Sequence, residues 1–290
     1  MVLFSGCNAS MADQSSVTRK GFYEIVFDLG EVQCPTRWEI SEDGITIINA
    51  EERIEVSQYR LSGDSASFAL PVFGTTVDFY FTTQDSLRGF FRNQYRKGEY
   101  KVAFVGYKSK KITPSQKEPN IQSTYDVTMD KNEEAYKAIG ILNSSHGRVT
   151  GTFLTETGDY RFLEGKKTSE DEFYLSCFDG SHLFYFSAAM EGDSITGKFY
   201  SGNHWNTTWN GVKDKSVSLV DPDSLTYLNR GETSVQFMGV DMNEDTTEFN
   251  SMDFNQVSII QILGTWCPNC MDETRYYSEL AAKYGNQLNI

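Results

Sequence analysis

The chain has 290 residues, with 26 Lys and Arg against 40 Asp and Glu, a formal net charge of −14. That balance excludes a nucleic-acid-binding surface, because no Lys/Arg cluster offsets the phosphates, and no apolar run is long enough to span a bilayer as a helix. Hydrophobic residues at 39% and aromatics at 14% supply real cores, so the chain is globular, and its length predicts two domains.

Met1-Val2-Leu3-Phe4-Ser5-Gly6-Cys7-Asn8 resembles the tail of a lipoprotein signal peptide. Small Ser5-Gly6 before Cys7 fits a lipobox, with Cys7 as the residue that takes the acyl chains. The charged start and most of the apolar stretch of a signal are missing, and the rival reading is a chance cysteine near a start methionine. Residues 1–20 read as signal remnant and tether.

Residues 21–213 read as strand after short strand. The first half has runs at 22–27, 44–48, 53–56, 67–73, 77–81 and 100–105. The second has runs at 135–140, 149–154, 160–163, 173–178, 183–186 and 194–200. Period-two alternation, β-branched and aromatic enrichment, and Gly/Asp/Asn turns predict an antiparallel β domain, either a sandwich or a partly closed barrel. Turn signals at Phe178-Asp179-Gly180-Ser181 and Glu191-Gly192-Asp193-Ser194 predict hairpins. The histidines are His146, His182 and His204. Asp179 with His182 admits a metal or hydrolase reading, against a turn-stabilising Asp beside a solvent-side imidazole. Ser176 and Ser181 lack a nucleophile elbow. Trp205 and Trp209 near His204 read either as core or as the lining of a ligand groove. Cys34 and Cys177 read as buried thiols.

Residues 214–234 are polar and form the expected linker, broken at Asp221-Pro222-Asp223. A strand is expected at 235–240, an acidic connector at 241–250 and a buried strand at 255–263. The last leads into Gly264-Thr265-Trp266-Cys267-Pro268-Asn269-Cys270. Pro268 suits the first helical position, which makes Cys267 the N-cap. There the unpaired N–H groups and the helix dipole favour thiolate over thiol, so Cys267 is expected to titrate below about 8.5. Cys270 lies one turn inward as a resolving thiol: Cys267 attacks a disulfide and Cys270 displaces the mixed species. A zinc site is the weaker alternative, since no second C-x-x-C or H-x-x-H completes four ligands; a structural disulfide is the third. Tyr277, Leu280, Ala281 and Tyr284 give the helix one apolar face, and Gly285 ends it.

With its preceding strand and following helix, the run Gln261-Ile262-Leu263-Gly264-Thr265-Trp266-Cys267-Pro268-Asn269-Cys270 resembles the active site of TlpA-like thiol–disulfide oxidoreductases of the thioredoxin superfamily. Gln261 departs from the buried Asp of cytosolic thioredoxins, as the TlpA-like branch often does. Segments 87–93, 155–165, 175–182 and 197–205 are similar to parts of the N-terminal β domains of such proteins. The resemblance implies a mainly β N-terminal domain followed, over 235–290, by an incomplete α/β thioredoxin-like domain; the strands, helices and cis-proline loop that complete that fold do not follow before Ile290.

The activity implied is disulfide exchange with client proteins in the periplasm or cell envelope, as a lipid-anchored reductant supplied by a membrane electron donor. Cys267 and Cys270 are the redox centre, with Trp266, Pro268 and Gln261 supporting it and no cofactor or metal. The alternative is a non-enzymatic, β-rich envelope lipoprotein that binds a ligand or protein and carries an inactive redox remnant.

Overall fold

The computed structural model describes residues 19–56, 59–70, 73–111, 121–130, 135–264 and 266–290, so the lipobox reading of Cys7 lies outside the described residues. Two antiparallel sheets of nine strands account for residues 21–213. The first is built from β1 (Gly21–Asp28), β2 (Gln33–Ile40), β3 (Ile45–Asn49), β4 (Glu52–Val56), β5 (Tyr59–Ser62), β6 (Ser65–Leu70), β7 (Thr75–Phe81), β8 (Ser86–Asn93) and β9 (Lys101–Ser109). Its order is β4-β3-β2-β1-β9-β8-β7-β6-β5. Alternation sets its faces: β7 buries Thr75, Val77, Phe79 and Phe81 and exposes the residues between them. Trp38, Phe27, Phe79 and Phe104 meet edge-on or tilted in its core, the geometry that ring quadrupoles prefer.

The second sheet holds β10 (Ile121–Asp130), β11 (Tyr136–Ser145), β12 (Arg148–Thr155), β13 (Gly158–Asp159), β14 (Leu163–Lys167), β15 (Glu172–Phe178), β16 (Leu183–Glu191), β17 (Ser194–Ser201) and β18 (Trp205–Lys213). Its order runs β11-β10-β18-β17-β16-β15-β14-β12-β13, and β11 also pairs with β12. With β13 set aside as a two-residue flap on β12, the remaining eight strands form a closed ring of sequential neighbours. Closure leaves no open edge among them. The interior is filled, not hollow: Phe153, Leu163, Leu175, Phe186, Ile195, Phe199 and Trp209 are all buried there, as expected of an eight-stranded barrel.

The barrel rests on the first sheet through β15 and β16, which lie against β2 and β3. Phe178, Leu183 and Tyr200 of the barrel join the first sheet's core. Cys34 and Cys177 are buried thiols, and burial pushes both well above the usual thiol range.

Beyond Lys213 come a four-residue helix α1 (Pro222–Leu225), a hairpin of β19 (Gln236–Val240) and β20 (Thr246–Asn250), and the helix α2 (Pro268–Tyr284). β21 (Val257–Ser258) and β22 (Leu288–Asn289) add one short parallel pair. This corrects the expected fold class. Among the described residues no α/β thioredoxin-like domain forms over 235–290, and the β region is two sheets, one a fully closed barrel, instead of a single sandwich or partly closed barrel. The predicted strand at 255–263 shrinks to Val257–Ser258. The reason is burial: Ile262 is 95% exposed and Ile260 and Leu263 are more than 40% exposed, so no second layer rewards ordering them as a sheet.

Candidate functional site

The strands of the barrel carry their aromatic residues to one mouth. Tyr160 stands edge-on to Phe184 at 5.3 Å and to Phe199 at 5.0 Å between ring centroids. Trp205 meets Phe199 at 5.5 Å, and His182 stacks on Phe184 at 4.9 Å. These rings line a cleft of about 1000 Å³, open to solvent. The Tyr136 and Tyr160 hydroxyls share a hydrogen bond of 2.5 Å; burial and that contact push the Tyr160 phenol far up, so it stays protonated.

Polar groups ring the mouth. Arg96 Nη1 lies 2.6 Å from His204 Nε2, and since arginine only donates, that nitrogen accepts and the imidazole is neutral. Burial, then the Arg96 charge, hold His204 down at about 4. Tyr100 meets the same ring edge-on at 5.5 Å. Asp159, on the flap strand, receives the Asn269 amide at 3.3 Å.

Asp179 has a side chain with no solvent exposure. Its Oδ1 accepts the backbone N–H of Ser181 at 2.8 Å and of His182 at 2.6 Å, and its Oδ2 lies 3.1 Å from His182 Nδ1. Burial opposes its charge, and these donors outweigh it and hold the carboxyl below its usual range. Asp179 and His182 are thus a turn-holding pair, and among the described residues no group of three or more His, Cys, Asp or Glu converges as a metal site. Trp209 is 2% exposed and belongs to the barrel core, whereas His204 and Trp205 line the cleft. Sequence reasoning missed Tyr136, Tyr160 and Arg96; the only signal for them was the aromatic density of the barrel strands, which core packing alone also explains.

The cysteine motif lies beside this cleft. Cys267 is the N-cap of α2, Pro268 its first residue, and the Cys270 N–H reaches the Cys267 sulfur at 3.3 Å. The two sulfurs are 2.6 Å apart. Gln261 grips the first turn: its amide donates to the Cys270 carbonyl at 3.2 Å and to Glu273 at 3.0 Å. Trp266 is 62% exposed and folds back on Gly264, where a Cβ would sit 2.6 Å from the indole. The acidity differs from expectation. Burial first, then the Cys270 thiol, push the Cys267 thiol up, outweighing the backbone N–H of Cys270 that favours the thiolate. The N-cap contact alone therefore does not lower the Cys267 thiol.

No protein-family model matches the chain, and no curated protein matches it. Among solved structures it is similar to isotype 1 transferrin binding protein B from serogroup B Neisseria meningitidis, at 9% identity and TM-score 0.24, covering 67% of this chain and 43% of that one. It is similar also to a mutant transferrin binding protein B from Haemophilus parasuis Hp5, at 11% identity and TM-score 0.23, covering 67% and 45%. A third likeness is to a structure described as a surface lipoprotein, at 12% identity and TM-score 0.25, covering 67% and 98%. The chain spans less than half the length of the transferrin binding protein B structures it matches. The TlpA-like resemblance is corrected by the fold: the described residues form two antiparallel sheets with one long helix and no α/β thioredoxin-like sheet behind the cysteine motif, and the Cys267 thiol is pushed up. With it go the thiol–disulfide oxidoreductase activity, the disulfide-bearing clients and the membrane electron donor that it implied.

Proposed function

We propose that this chain is a non-enzymatic, β-rich binding protein of the cell envelope, held to a membrane by lipid on Cys7, and that the barrel mouth is its binding site. The observation that carries this is the aromatic cleft bounded by Tyr136, Tyr160, Phe184 and Trp205 at the end of a closed, well-packed barrel. Ligand sites are concave, mostly apolar, and oriented by a few polar groups; here Arg96, His204 and Asp159 supply them. Residues 21–213 are the binding part and 214–234 a linker. In this reading Cys267 and Cys270 cap and brace α2, supported by Gln261, Trp266 and Pro268, and have no redox duty.

The test is a screen of the full chain against envelope protein fractions and a glycan array, repeated with Trp205→Ala and Tyr136→Ala. Captured ligands that both variants still bind with unchanged affinity overturn the cleft as the site. Lipid on Cys7 is read by palmitate labelling of the precursor expressed in a bacterial host, with Cys7→Ser expected to abolish it. Protease shaving of intact cells then separates a surface location from a periplasmic one.

A further inference from the structure

Helix α2 is seventeen residues long and buries a single one, Pro268. Its apolar face is not covered: Leu280 is only partly buried, and Tyr284 is 43% exposed. Hydrophobic burial therefore does not hold it to the barrel. Polar contacts at one spot do.

Arg161, between β13 and β14, has φ of 63°, the left-handed region that side chains other than glycine seldom adopt. That conformation aims a side chain only 9% exposed at three parts of the chain at once. Its Nη1 donates to Asn269 Oδ1 at 2.7 Å and to Asp272 Oδ2 at 2.9 Å, both on α2. Its Nη2 bonds Glu52 of the first sheet, and its Nε lies 3.9 Å from Asp179 Oδ2 without a hydrogen bond. Two further contacts complete the seat. Asn269 donates to Asp159, and Ser181 Oγ donates to the Trp266 carbonyl at 3.4 Å. The fit is close: a Cβ on Gly158 would come within 3.1 Å of the Asn269 amide. Asn269 and Asp159 both form part of the cleft wall.

We infer that residues 266–290 form a strap whose polar seat on Arg161 narrows the mouth of the aromatic cleft, and whose release widens it. The biological meaning of the strap rests on the cleft being a binding site; the motion itself does not. Asp272 is 49% exposed, so its pair with Arg161 is the part of the seat that salt weakens, and a seat of polar contacts without apolar burial opens locally while the barrel stays folded.

The test uses the full chain in two measurements. The first is amide hydrogen exchange over residues 266–284, comparing wild type with the double variant Asn269→Ala, Asp272→Ala. Both changes are on α2 and leave the barrel core untouched. Exchange is expected to quicken about tenfold, and Arg161→Gln is expected to reproduce this from the other side of the contact. The second is acrylamide quenching of Trp205 in a Trp266→Phe background, where Trp38 and Trp209 are shielded by burial. The double variant is expected to raise the quenching constant. A strap that exchanges at the wild-type rate in the double variant overturns the inference. So does a quenching constant unchanged when the strap is released. Both shifts seen alongside an empty ligand screen would sink the binding reading and leave the strap standing.

Discussion

Asn49 and Phe178 are joined as two strands of a sheet are joined, although they lie on different sheets. The Asn49 amide donates to the Phe178 carbonyl at 3.0 Å, and its Oδ1 accepts the Phe178 N–H at 3.2 Å. Asn49 is 2% exposed and ends β3; Phe178 ends β15 and is fully buried. One side chain thus completes the backbone pairing of a barrel strand from the neighbouring sheet. Asn49→Ala leaves a buried N–H and a buried C=O without partners, and each such group costs about 1–3 kcal/mol. The expected result is a loss of about 3 kcal/mol in urea unfolding, with the barrel and the first sheet separating into two transitions. A loss below about 0.5 kcal/mol, the size of an ordinary surface substitution, would show that the pairing is idle.

Much of the strand content was legible in sequence, and the reason is visible in β7 and β9, whose alternating burial matches their alternating residues. β2 was not read because Pro35 and the charges of Arg37 and Glu39 break an apolar pattern, yet Cys34, Thr36, Trp38 and Ile40 all point inward. β10 was missed because its run of Ser, Thr and Asp hides Tyr125, Val127 and Met129. Barrel closure rests on the pairing of β10 with β18, from Tyr125 with Lys213 to Asp130 with Thr208, residues 78 to 88 positions apart, and no local pattern encodes it. The predicted strand at 160–163 contains Arg161, whose positive φ breaks it, and the contacts that justify that φ are long-range. The α2 helix was read with its cap because Pro268 and Gly285 are local signals. What failed there was the step from a local motif to a domain: the motif needs a sheet behind it, and the apolar residues at 259–263 have none.

Glu164 predicts how the chain responds to acid. Arg37 of the first sheet and Arg148 of the barrel both bond its carboxylate, and the Ala50 N–H adds a third donor at 3.0 Å. Burial raises its pKa, and the two arginines and their hydrogen bonds outweigh that, so the carboxyl is held below its usual range. A depressed carboxyl contributes stability that is complete above the unfolded value of about 4.3 and is lost as pH falls through the folded value. The Glu164 contribution is therefore expected to be flat above about pH 5 and to fall below about pH 4. Glu164→Gln should cost about 3 kcal/mol at pH 7, since it leaves two arginines facing a neutral group, and should flatten the acid slope. Parallel acid slopes in the two proteins would place that dependence elsewhere.

His204 gives a second, separate window. Its folded value of about 4 lies below the unfolded value of about 6.5. The neutral ring's contribution is thus complete above pH 6.5 and declines as pH falls from there through about 4. Carbon-detected NMR of the imidazole should show a midpoint near 4 for His204. Arg96→Gln removes one of the three causes, burial and His182 being the others, and should move that midpoint upward. A midpoint above 6 in the wild type would contradict the Arg96 contact.

The thiols offer a direct check on the corrected site. Because burial and the neighbouring Cys270 thiol raise the Cys267 value, its alkylation by iodoacetamide should follow a midpoint at or above the ordinary thiol value of about 8.5. Cys270→Ser should lower that midpoint, by removing the competing thiol while keeping the N-cap. A wild-type midpoint below 7 would restore the activated-nucleophile reading of the motif.

Phe186 tests the coupling between the barrel core and the cleft. It lies between Phe153 and Phe199 with nearly parallel rings, at 4.5 Å and 4.4 Å between centroids. Tyr160, which lines the cleft, stands edge-on to it at 5.4 Å. Interiors packed to crystal density relax only partly around a deletion, so Phe186→Ala should cost about 3–5 kcal/mol. Phe186→Leu keeps most of the volume and should cost less than about 1.5 kcal/mol. The cavity left by alanine adjoins Tyr160, so that ring gains freedom to tilt inward and the Tyr136–Tyr160 hydroxyl contact is lost. Near-ultraviolet circular dichroism reports this: the tyrosine band should change in the alanine variant and hold in the leucine one. A tyrosine band that is the same in both, despite the expected loss of stability, would show that the cleft is mechanically independent of the core beneath it.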